Sequence, residues 1–375
     1  MILGDLGAEV IKVERPGRGD DSRSWGPPWM KEASAYFVSV NRNKKSVAVN
    51  LKSEDGAEVV RKFEGVTPLQ EPLSVPGTLS KLGLGYEQLK KVAPQLIYTS
   101  ITGFGQTGPY SKRGGYDPIA AALGGLLHIT GPEGGEPCRT GVAMTDLSCG
   151  LYATGAIMAA LLYRQKTGLG QHIDCNLINT QIAALTHIGS NYLNCGVEAQ
   201  RYGTGHPSVA PLQAFPTKDD RYLMIGAGND QLFIEICKRI GLPEMATDER
   251  YITNALRVEN RKSMISAMSE RFAQKTVCEW MEVLEGASFP YGPVNNIQQA
   301  FSDPQVVHNE MIQVIEHPTE GTIKVPGPAV KYSELDTVLQ RAPPLLGQHT
   351  DDVLSSLLNY DEDKIKQLKD KGCVA

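Results

Sequence analysis

The sequence predicts an α/β protein with parallel strands. Its first half alternates short runs rich in β-branched residues with segments of helical period, the order expected when helices connect parallel strands. With 375 residues, of which 41% are hydrophobic and 21% charged, the chain can bury at least one large core. No stretch approaches the ~18 consecutive apolar residues of a membrane-spanning helix. The composition therefore argues against disordered and membrane-spanning proteins.

Strands and helices follow one another in a regular order up to residue 193. The sequence predicts strands at 9–13, 45–50, 96–101 and 171–176. It predicts helices at 54–64, 86–92, 117–127, 146–165 and 177–193. The helix at 146–165 contains many Gly and Ala residues, which let another backbone approach closely. We therefore expect this helix to be buried at the centre of the protein.

A second unit follows a stretch rich in Gly and Pro. Residues 197–217 are predicted to form a linker because this composition breaks helices and strands. After it come a strand at 222–225 and helices at 229–240, 260–273 and 276–286. Two β-like segments at 311–316 and 321–326 and helices within 350–372 close the chain.

The composition also limits the classes of ligand. The formal net charge of −5 argues against a nucleic-acid-binding protein. Residues 1–52 nevertheless carry a net charge of +3, which makes them the candidate seat of an anionic ligand, although on composition alone an ordinary solvated basic patch is the default explanation. The 38 glycines and 23 prolines indicate many loops lined by backbone N–H groups.

Metal and disulfide chemistry are not expected. The seven cysteines are scattered singly, and no CxxC or paired Cys/His spacing is present. His128, His172 and His187 lie among apolar residues without a partner at triad or metal spacing, so packing or surface positions explain them. The sequence therefore predicts no metal site and a reducing compartment, and it shows no signal or transit peptide.

Asp146 begins the small-residue helix and has two interpretations. Its residue type alone predicts a helix N-cap, whose carboxylate accepts the first unpaired N–H groups. The partial positive charge of a helix N-terminus would also keep the carboxylate ionised, and an ionised carboxylate at a cleft edge can act as a nucleophile. The glycine-rich loops at 103–109 and 131–135 flank this helix in sequence but match neither phosphate-binding fingerprint.

Motifs along almost the whole chain resemble the class III CoA-transferases. The resemblance is carried, in order, by Gly4–Pro16, Asn43–Ser46, Gly83–Tyr86, Gly114–Asp117, Asp146 with its small-residue helix, Thr167–Gln171 and Pro343–Thr350. It implies a Rossmann-like large domain built from both chain ends, with a small α+β domain inserted. The expected boundaries are 1–196 for the first part of the large domain, 197–217 for the linker, 218–305 for the small domain and 306–375 for the return linker and last part.

The resemblance also implies a reaction. Asp146 would attack the donor thioester and carry CoA as an aspartyl-CoA thioester, with coenzyme A as a substrate and no other cofactor. Segments 129–132, 291–296 and 325–330 are most similar to mitochondrial members that transfer CoA from succinyl-CoA to glutarate or 3-hydroxy-3-methylglutarate. An interlocked homodimer in mitochondria, without nucleic-acid or membrane partners, is the expected form.

Family positions further imply a set of CoA contacts. They fall on Arg15, Val49, Asn50, Leu51, Lys52, Lys81, Tyr116 and Asp117. Gly114 stands where a formyl-CoA transferase has Lys. Arg113 and Arg139 are candidates, by charge and loop position, for binding the distal carboxylate of a dicarboxylate.

Two alternatives remain. The same fold includes 2-methylacyl-CoA racemases, whose base is the His of a GHD motif; Tyr116 replaces that His, and a tyrosine with a reference pKa near ~10 is a poor base. The chain also lacks the first strand and turn of the family pattern. Between 67 and 77 it carries prolines that are incompatible with a central strand and place Leu73, Ser74 and Val75 where CoA contacts are expected. A catalytically impaired truncated or splice form is therefore the second hypothesis.

Overall fold

The computed structural model describes residues 1–65, 69–71, 76–335, 337, 339 and 341–375. Internal contacts divide the chain into two compact units. The first unit comprises Met1–Gly124, Val142–Ala184 and Phe301–Ala375. The second comprises Gly125–Gly141 and Leu185–Ala300.

Strands and helices are numbered in chain order. The strands are β1 (Val10–Glu14), β2 (Lys44–Ala48), β3 (Leu69–Glu71), β4 (Ile97–Thr102), β5 (Gln171–Asn176), β6 (Leu212–Pro216), β7 (Tyr222–Gly226), β8 (Tyr291–Pro293), β9 (Ile312–His317) and β10 (Gly321–Pro326). The helices are α1 (Ile2–Asp5), α2 (Ala35–Val40), α3 (Glu54–Arg61), α4 (Tyr86–Leu89), α5 (Asp117–Leu123), α6 (Leu126–Ile129), α7 (Met144–Thr167), α8 (Leu177–Ala184), α9 (Thr186–Cys195), α10 (Asp230–Ile240), α11 (Asn254–Glu259), α12 (Arg261–Phe272), α13 (Val277–Leu284), α14 (Ile297–Ser302), α15 (Pro304–His308), α16 (Thr350–Leu358) and α17 (Glu362–Asp370).

The first unit contains the predicted parallel strands. β1 and β2 pair in parallel, with Glu14 opposite Ala48 at their carboxyl ends. A second parallel sheet has the order β3-β4-β5. β3 lies at its edge, which agrees with the expectation that the prolines between 67 and 77 exclude a central strand. The three expected CoA contacts Leu73, Ser74 and Val75 lie outside the described residues.

A core of aliphatic residues joins β2 and β4 to the last two helices. Val47 on β2, Tyr98 on β4, Val353 on α16 and Leu368 on α17 are almost completely buried in this cluster. The C-terminus adds backbone bonds, since the Asn50 N–H donates to the Cys373 carbonyl (2.8 Å). Residues from both ends of the chain therefore fix the strand β2 from which several predicted CoA contacts follow.

The second unit is built around an aromatic core. Its antiparallel sheet, β6-β7-β8, is packed by α10, α12 and α13. Phe215 stacks on Phe272 with ring centroids 4.8 Å apart, and the indole N–H of Trp280 donates to the Phe272 carbonyl (2.8 Å). Close packing of three large rings makes this cluster the centre of the unit.

Most predicted elements of the first half are confirmed, within a few residues at their ends. The prediction failed where one helix was expected and two form. The helix predicted at 117–127 stops at Leu123, because Gly124 and Gly125 follow and Gly125 adopts a positive φ of 82°. The helix predicted at 177–193 is interrupted before Thr186, whose φ is 46°. The predicted linker 197–217 contains the edge strand β6, a position that tolerates its flanking prolines.

The expectation that α7 is a centrally buried helix is wrong for the single chain. Cys149, Ala153 and Ile157 share one face and are buried, as are Thr145 and Ala160, whereas the large apolar residues of the other faces are exposed. By length and composition alone α7 is apolar enough to cross a membrane, and 28% of its most apolar window is buried within the described chain. A single helix of this kind is weak evidence for a membrane protein. The small residues bury one face against the sheet, and the rest of the helix is left uncovered.

Residues 125–141 make their contacts with the second unit. Arg201 donates to the carbonyls of Gly135 (2.9 Å) and His128 (2.7 Å), and the Gly203 N–H donates to the Gly131 carbonyl (2.9 Å). These bonds join 125–141 to the segment after α9 within the second unit. The domain boundaries given above stay a prediction.

Candidate active site

Asp146 is the third residue of α7, and its N–H is capped by another carboxylate. The N-cap is Ala143, which has no side-chain acceptor, so Asp146 does not cap its own helix as its residue type suggested. Asp117, the first residue of α5, accepts the N–H groups of Thr145 (2.8 Å) and Asp146 (3.2 Å) through one carboxylate oxygen. The predicted capping function is therefore present, but it belongs to Asp117.

Two glycines allow Asp117 to reach this position. Gly115 precedes α5 and crosses Gly103, the first residue after β4, at very short distance. A Cβ added to Gly115 would lie 2.5 Å from the Cα of Gly103. Only residues without a side chain permit this crossing. The backbone approach fixes the start of α5 beside the carboxyl end of β4.

The environment of the Asp146 carboxylate favours its protonated form more than expected. Burial, followed by the negative charge of Asp117, raises the pKa of Asp146 to about 6. Its Oδ1 is buried and finds no hydrogen-bond partner within the described part of the chain. The predicted effect of the helix N-terminus is therefore outweighed, although a group with this pKa is still roughly nine-tenths ionised at pH 7.

Tyr36 is a neighbour of this site that the sequence analysis missed. Burial and the charges of Asp146, Asp117 and Asp20 raise the pKa of its phenol. The ring packs edge-on against Trp25 with centroids 5.0 Å apart, and both rings are about half exposed. Tyr36 lies on α2, which was not predicted, and no sequence spacing links it to Asp146.

A pair of thiols lies one turn along α7. The sulfur atoms of Cys149 and Cys175 are 3.4 Å apart, joining the helix to β5. The hydrogen bond with Cys175 and burial both raise the pKa of Cys149. The scattered positions of the cysteines in sequence gave no signal for this contact.

The predicted CoA contacts near β1 and β2 come together at one sheet edge. Because Glu14 lies opposite Ala48 in a parallel pair, Arg15 and Val49 leave the two strands side by side. Ligands of open α/β sheets bind at such carboxyl ends. The side chains of Arg15 and Lys52 are exposed and make no hydrogen bond or ion pair within the described residues.

The other residues of this group are engaged in packing. Val49 is buried and bridges Val374, Leu51 packs partly against the core, and the Asn50 carboxamide accepts the Lys52 N–H (3.1 Å). These side chains are occupied at the end of β2, so an interaction with CoA there would use exposed backbone groups or the side chains of Arg15 and Lys52.

The remaining candidates are mostly exposed. Lys81 lies on a short 3-10 turn, and Tyr116 is 64% exposed. Arg113 stacks over the ring of Tyr110 at 3.9 Å, whereas Arg139 is exposed within the second unit. Asp117 is the exception, because it is 5% exposed and its carboxylate is directed at α7.

The loop at 103–108 is less available to a ligand than expected. The Gly105 N–H donates to the Thr102 hydroxyl and the Gln106 N–H to Asp174, both at 2.9 Å. The second glycine-rich loop, 131–135, belongs to the other unit. Among the residues that the structure describes, no group of three or more His, Cys, Asp or Glu side chains is placed to hold a metal ion.

The fold and the site together define a mixed α/β protein with a partly buried, ionisable carboxylate at the start of its longest described helix. Comparison with known proteins identifies its family. The model of CoA-transferase family III matches residues 1–350. The chain belongs to this family, and it is an enzyme of the CoA-transferase class whose substrates are CoA thioesters.

The similar proteins agree with this assignment. A succinyl-CoA:glutarate CoA-transferase from Homo sapiens is 54% identical over 374 residues, covering 100% of this chain and 85% of the relative. A succinate–glutarate CoA-transferase from Agrobacterium fabrum is 38% identical, covering 95% of this chain and 90% of the relative. The crystal structure of a CAIB/BAIF family protein from Brucella suis matches with a TM-score of 0.83 and 39% identity, covering 95% and 93% of the two chains.

Proposed function

We propose that this chain transfers CoA from succinyl-CoA to glutarate through a covalent thioester on Asp146. The observation that carries the substrate pair is the 54% identity, over all of this chain, to relatives named as succinyl-CoA:glutarate CoA-transferases. The nucleophile is supported by geometry, since Asp146 combines a raised pKa with a carboxylate oxygen that no described donor occupies.

The reaction conserves the thioester bond energy at each exchange. The Asp146 carboxylate attacks the thioester carbonyl of succinyl-CoA and expels the CoA thiolate, which leaves a mixed anhydride. The thiolate then attacks the Asp146 carbonyl, so that succinate departs and an aspartyl-CoA thioester remains. A glutarate carboxylate attacks this thioester and again expels the thiolate. Attack of the thiolate on the glutaryl carbonyl releases glutaryl-CoA and regenerates Asp146.

Binding of the CoA portion is proposed at the carboxyl ends of β1 and β2. The exposed cations of Arg15 and Lys52 are unpaired in the described chain and match the charge of the CoA phosphates. Val49, Asn50 and Leu51 would line this edge, with Lys81, Tyr116 and the main chain of Asp117 as further contacts. Arg113 and Arg139 are the candidate partners of the distal carboxylate.

A homodimer is proposed as the functional form. The uncovered face of α7 carries Leu147, Leu151 and Leu162, each more than half exposed in the single chain. Apolar side chains on several turns of one helix are characteristic of a surface covered by a partner. The interlocked arrangement, the Rossmann-like description of the large domain and the mitochondrial location rest on the family resemblance.

Direct turnover tests the function. Purified protein is incubated with succinyl-CoA and glutarate, or with 3-hydroxy-3-methylglutarate in parallel, and the acyl-CoA products are measured by mass spectrometry. We expect glutaryl-CoA, and a loss of about 10³-fold or more in Asp146→Asn. The matched control is Asp303→Asn, which changes a carboxylate that caps α15.

The outcome is decisive in either direction. Hydroxylamine should release CoA from the wild-type protein after incubation with succinyl-CoA alone, and the adduct should map to Asp146. A folded protein that forms no glutaryl-CoA contradicts the proposed function and supports the impaired form. Turnover that persists in Asp146→Asn contradicts the nucleophile. Deuterium exchange at the α-carbon of a 2-methylacyl-CoA would identify a racemase instead.

A further inference from the structure

Asp117 has no chemical role in the reaction as proposed, yet its carboxylate accepts the backbone N–H of the proposed nucleophile. It accepts the N–H groups of Thr145 (2.8 Å) and Asp146 (3.2 Å), the second and third residues of α7. These are the groups that an N-cap side chain normally satisfies. Because Ala143 at the N-cap has no acceptor, α5 supplies the cap from outside the helix.

The choice of an aspartate for this cap has an electrostatic consequence. A neutral Asn or Ser also accepts such N–H groups, but only Asp brings a negative charge next to Asp146. After burial, that charge is the second cause of the raised Asp146 pKa. The buried Oδ1 of Asp146 has no donor in the described chain to offset the repulsion. The two carboxylates are therefore electrostatically coupled.

We propose that Asp117 is a positioning residue that fixes the start of α7 and, through its negative charge, makes Asp146 a more reactive carboxylate nucleophile. This inference rests on the proposed role of Asp146. A more basic carboxylate donates its electron pair more readily to a thioester carbonyl, provided that it is ionised at the working pH. With its pKa at about 6, Asp146 meets both conditions near neutral pH.

Other groups around Asp146 do not supply the same charge. Tyr36 approaches from α2, and burial raises the pKa of its phenol; Cys149 lies on the next turn of α7, and its hydrogen bond with Cys175, followed by burial, raises the pKa of its thiol. Both groups are therefore neutral on the acid side of pH 7. From α8, the uncharged Gln181 accepts the Thr145 hydroxyl (2.8 Å). From β5, Cys175 contacts Cys149; that hydrogen bond lowers the pKa of Cys175 to about 7. Asp117 is the charged neighbour when Asp146 titrates.

Asp117→Asn separates the charge from the cap. The carboxamide oxygen can still accept both N–H groups, whereas the negative charge is lost. We expect the Asp146 pKa to fall, as measured by 13C NMR of protein labelled at the aspartate carboxyls, with the resonance assigned by its loss in Asp146→Asn. The acid limb of the kcat/KM profile should move to lower pH by the same amount, up to about one unit.

Asp303→Asn is the matched control. Asp303 accepts the N–H groups of Gln305 (2.9 Å) and Val306 (3.4 Å) at the start of α15, so the same chemical change is made at another two-bond cap. We expect the Asp146 resonance and the pH profile to be unchanged in this variant.

The NMR titration keeps the two proposals separable. If Asp117→Asn loses stability while the Asp146 pKa and the acid limb stay at their wild-type values, Asp117 is only a helix cap and the inference is overturned. If Asp117→Asn does not fold, the wild-type titration decides the question: the Asp117 carboxyl resonance must also respond as Asp146 ionises, and two independent titration curves would overturn the inference. The titration needs no turnover. Absence of CoA transfer would therefore contradict the proposed function, while the effect of Asp117 on the Asp146 pKa could still be measured.

Discussion

Asp146 sets the pH range in which a carboxylate at this site can act. Burial and the neighbouring Asp117 raise its pKa to about 6, so the ionised form, which is the one required of the proposed nucleophile, dominates above that pH and declines below it. The rate should follow the ionised fraction, because a protonated carboxyl is a much weaker electron-pair donor than a carboxylate.

The first prediction concerns this pH dependence. We expect kcat/KM for CoA transfer to fall about tenfold per pH unit below about 6 and to level off between about 7 and 8. The profile is measured with succinyl-CoA and glutarate, and circular dichroism at each pH controls for unfolding. An acid limb centred near the usual aspartate pKa of ~4 would contradict the raised pKa.

The two glycines before Tyr116 give a matched pair of variants. In Gly115→Ala, the new Cβ would lie 2.5 Å from the Gly103 backbone, so the start of α5 and the Asp117 cap must shift. We expect a drop of at least about tenfold in kcat/KM, because small misplacements at a nucleophile are costly. Gly114→Ala places its Cβ in open space and should retain the wild-type rate. Equal effects of the two substitutions would exclude this explanation.

At the scale of elements, the structure depends on contacts between distant segments of chain. Strand β2 is bonded to the motif that ends in Thr350, a motif whose structural role was not predicted. The Thr350 hydroxyl accepts the Ala48 N–H (3.1 Å) and donates to the Ala375 carbonyl (2.6 Å). A single buried hydroxyl thus joins β2, the start of α16 and the C-terminus.

Thr350→Val tests this contact. Valine has nearly the same shape but leaves the Ala48 N–H and the Ala375 carbonyl without this partner. We expect the free energy of unfolding of the first unit to fall by about 1–3 kcal/mol, measured by denaturant unfolding or by hydrogen exchange at β2. Thr322→Val, where the hydroxyl donates only to the exposed Glu316, should change it by less than about 0.5 kcal/mol. If Thr350→Val leaves the free energy of unfolding unchanged, β2 is held by packing alone.

At the scale of the whole molecule, the exposed face of α7 needs a partner in water. Apolar side chains along this 24-residue helix would otherwise remain solvated, which favours burial of the face against another surface. A second copy of the chain is the partner that the family resemblance implies.

The fourth prediction is that charge on this face prevents self-association. The double variant Leu151→Asp and Leu162→Asp places two carboxylates on exposed positions of α7, so the single chain should keep its secondary structure. We expect the wild type to sediment as a dimer and this variant as a monomer. Val92→Asp, at a residue that is 66% exposed in the first unit, is the control and should remain dimeric. A monomeric wild type would contradict the proposed dimer.

Local chemistry made several parts of the fold predictable. Strand β5 was predicted at its observed bounds of 171–176, because Ile173 and Cys175 alternate with polar residues between a Gly-rich turn and a helix, and such alternation is recognisable from sequence. The split at Gly124 and Gly125 was readable in principle, since paired glycines break helices. The break before Thr186 was not, because a positive φ at a threonine is imposed by its surroundings.

By itself, the sequence determined the α/β class, because strand and helix periodicities are local properties of the chain. It determined the family and the candidate nucleophile through motifs that resemble the CoA-transferases in order along the chain. Only the tertiary structure decided which side chain caps α7, why the Asp146 pKa is raised and which face of α7 is left exposed. Each of these depends on groups brought together from distant positions: Asp117 reaches α7 from another helix, Tyr36 approaches from an unpredicted one, and burial exists only after folding. Capping, charge coupling and desolvation are properties of proximity, and proximity is set by packing.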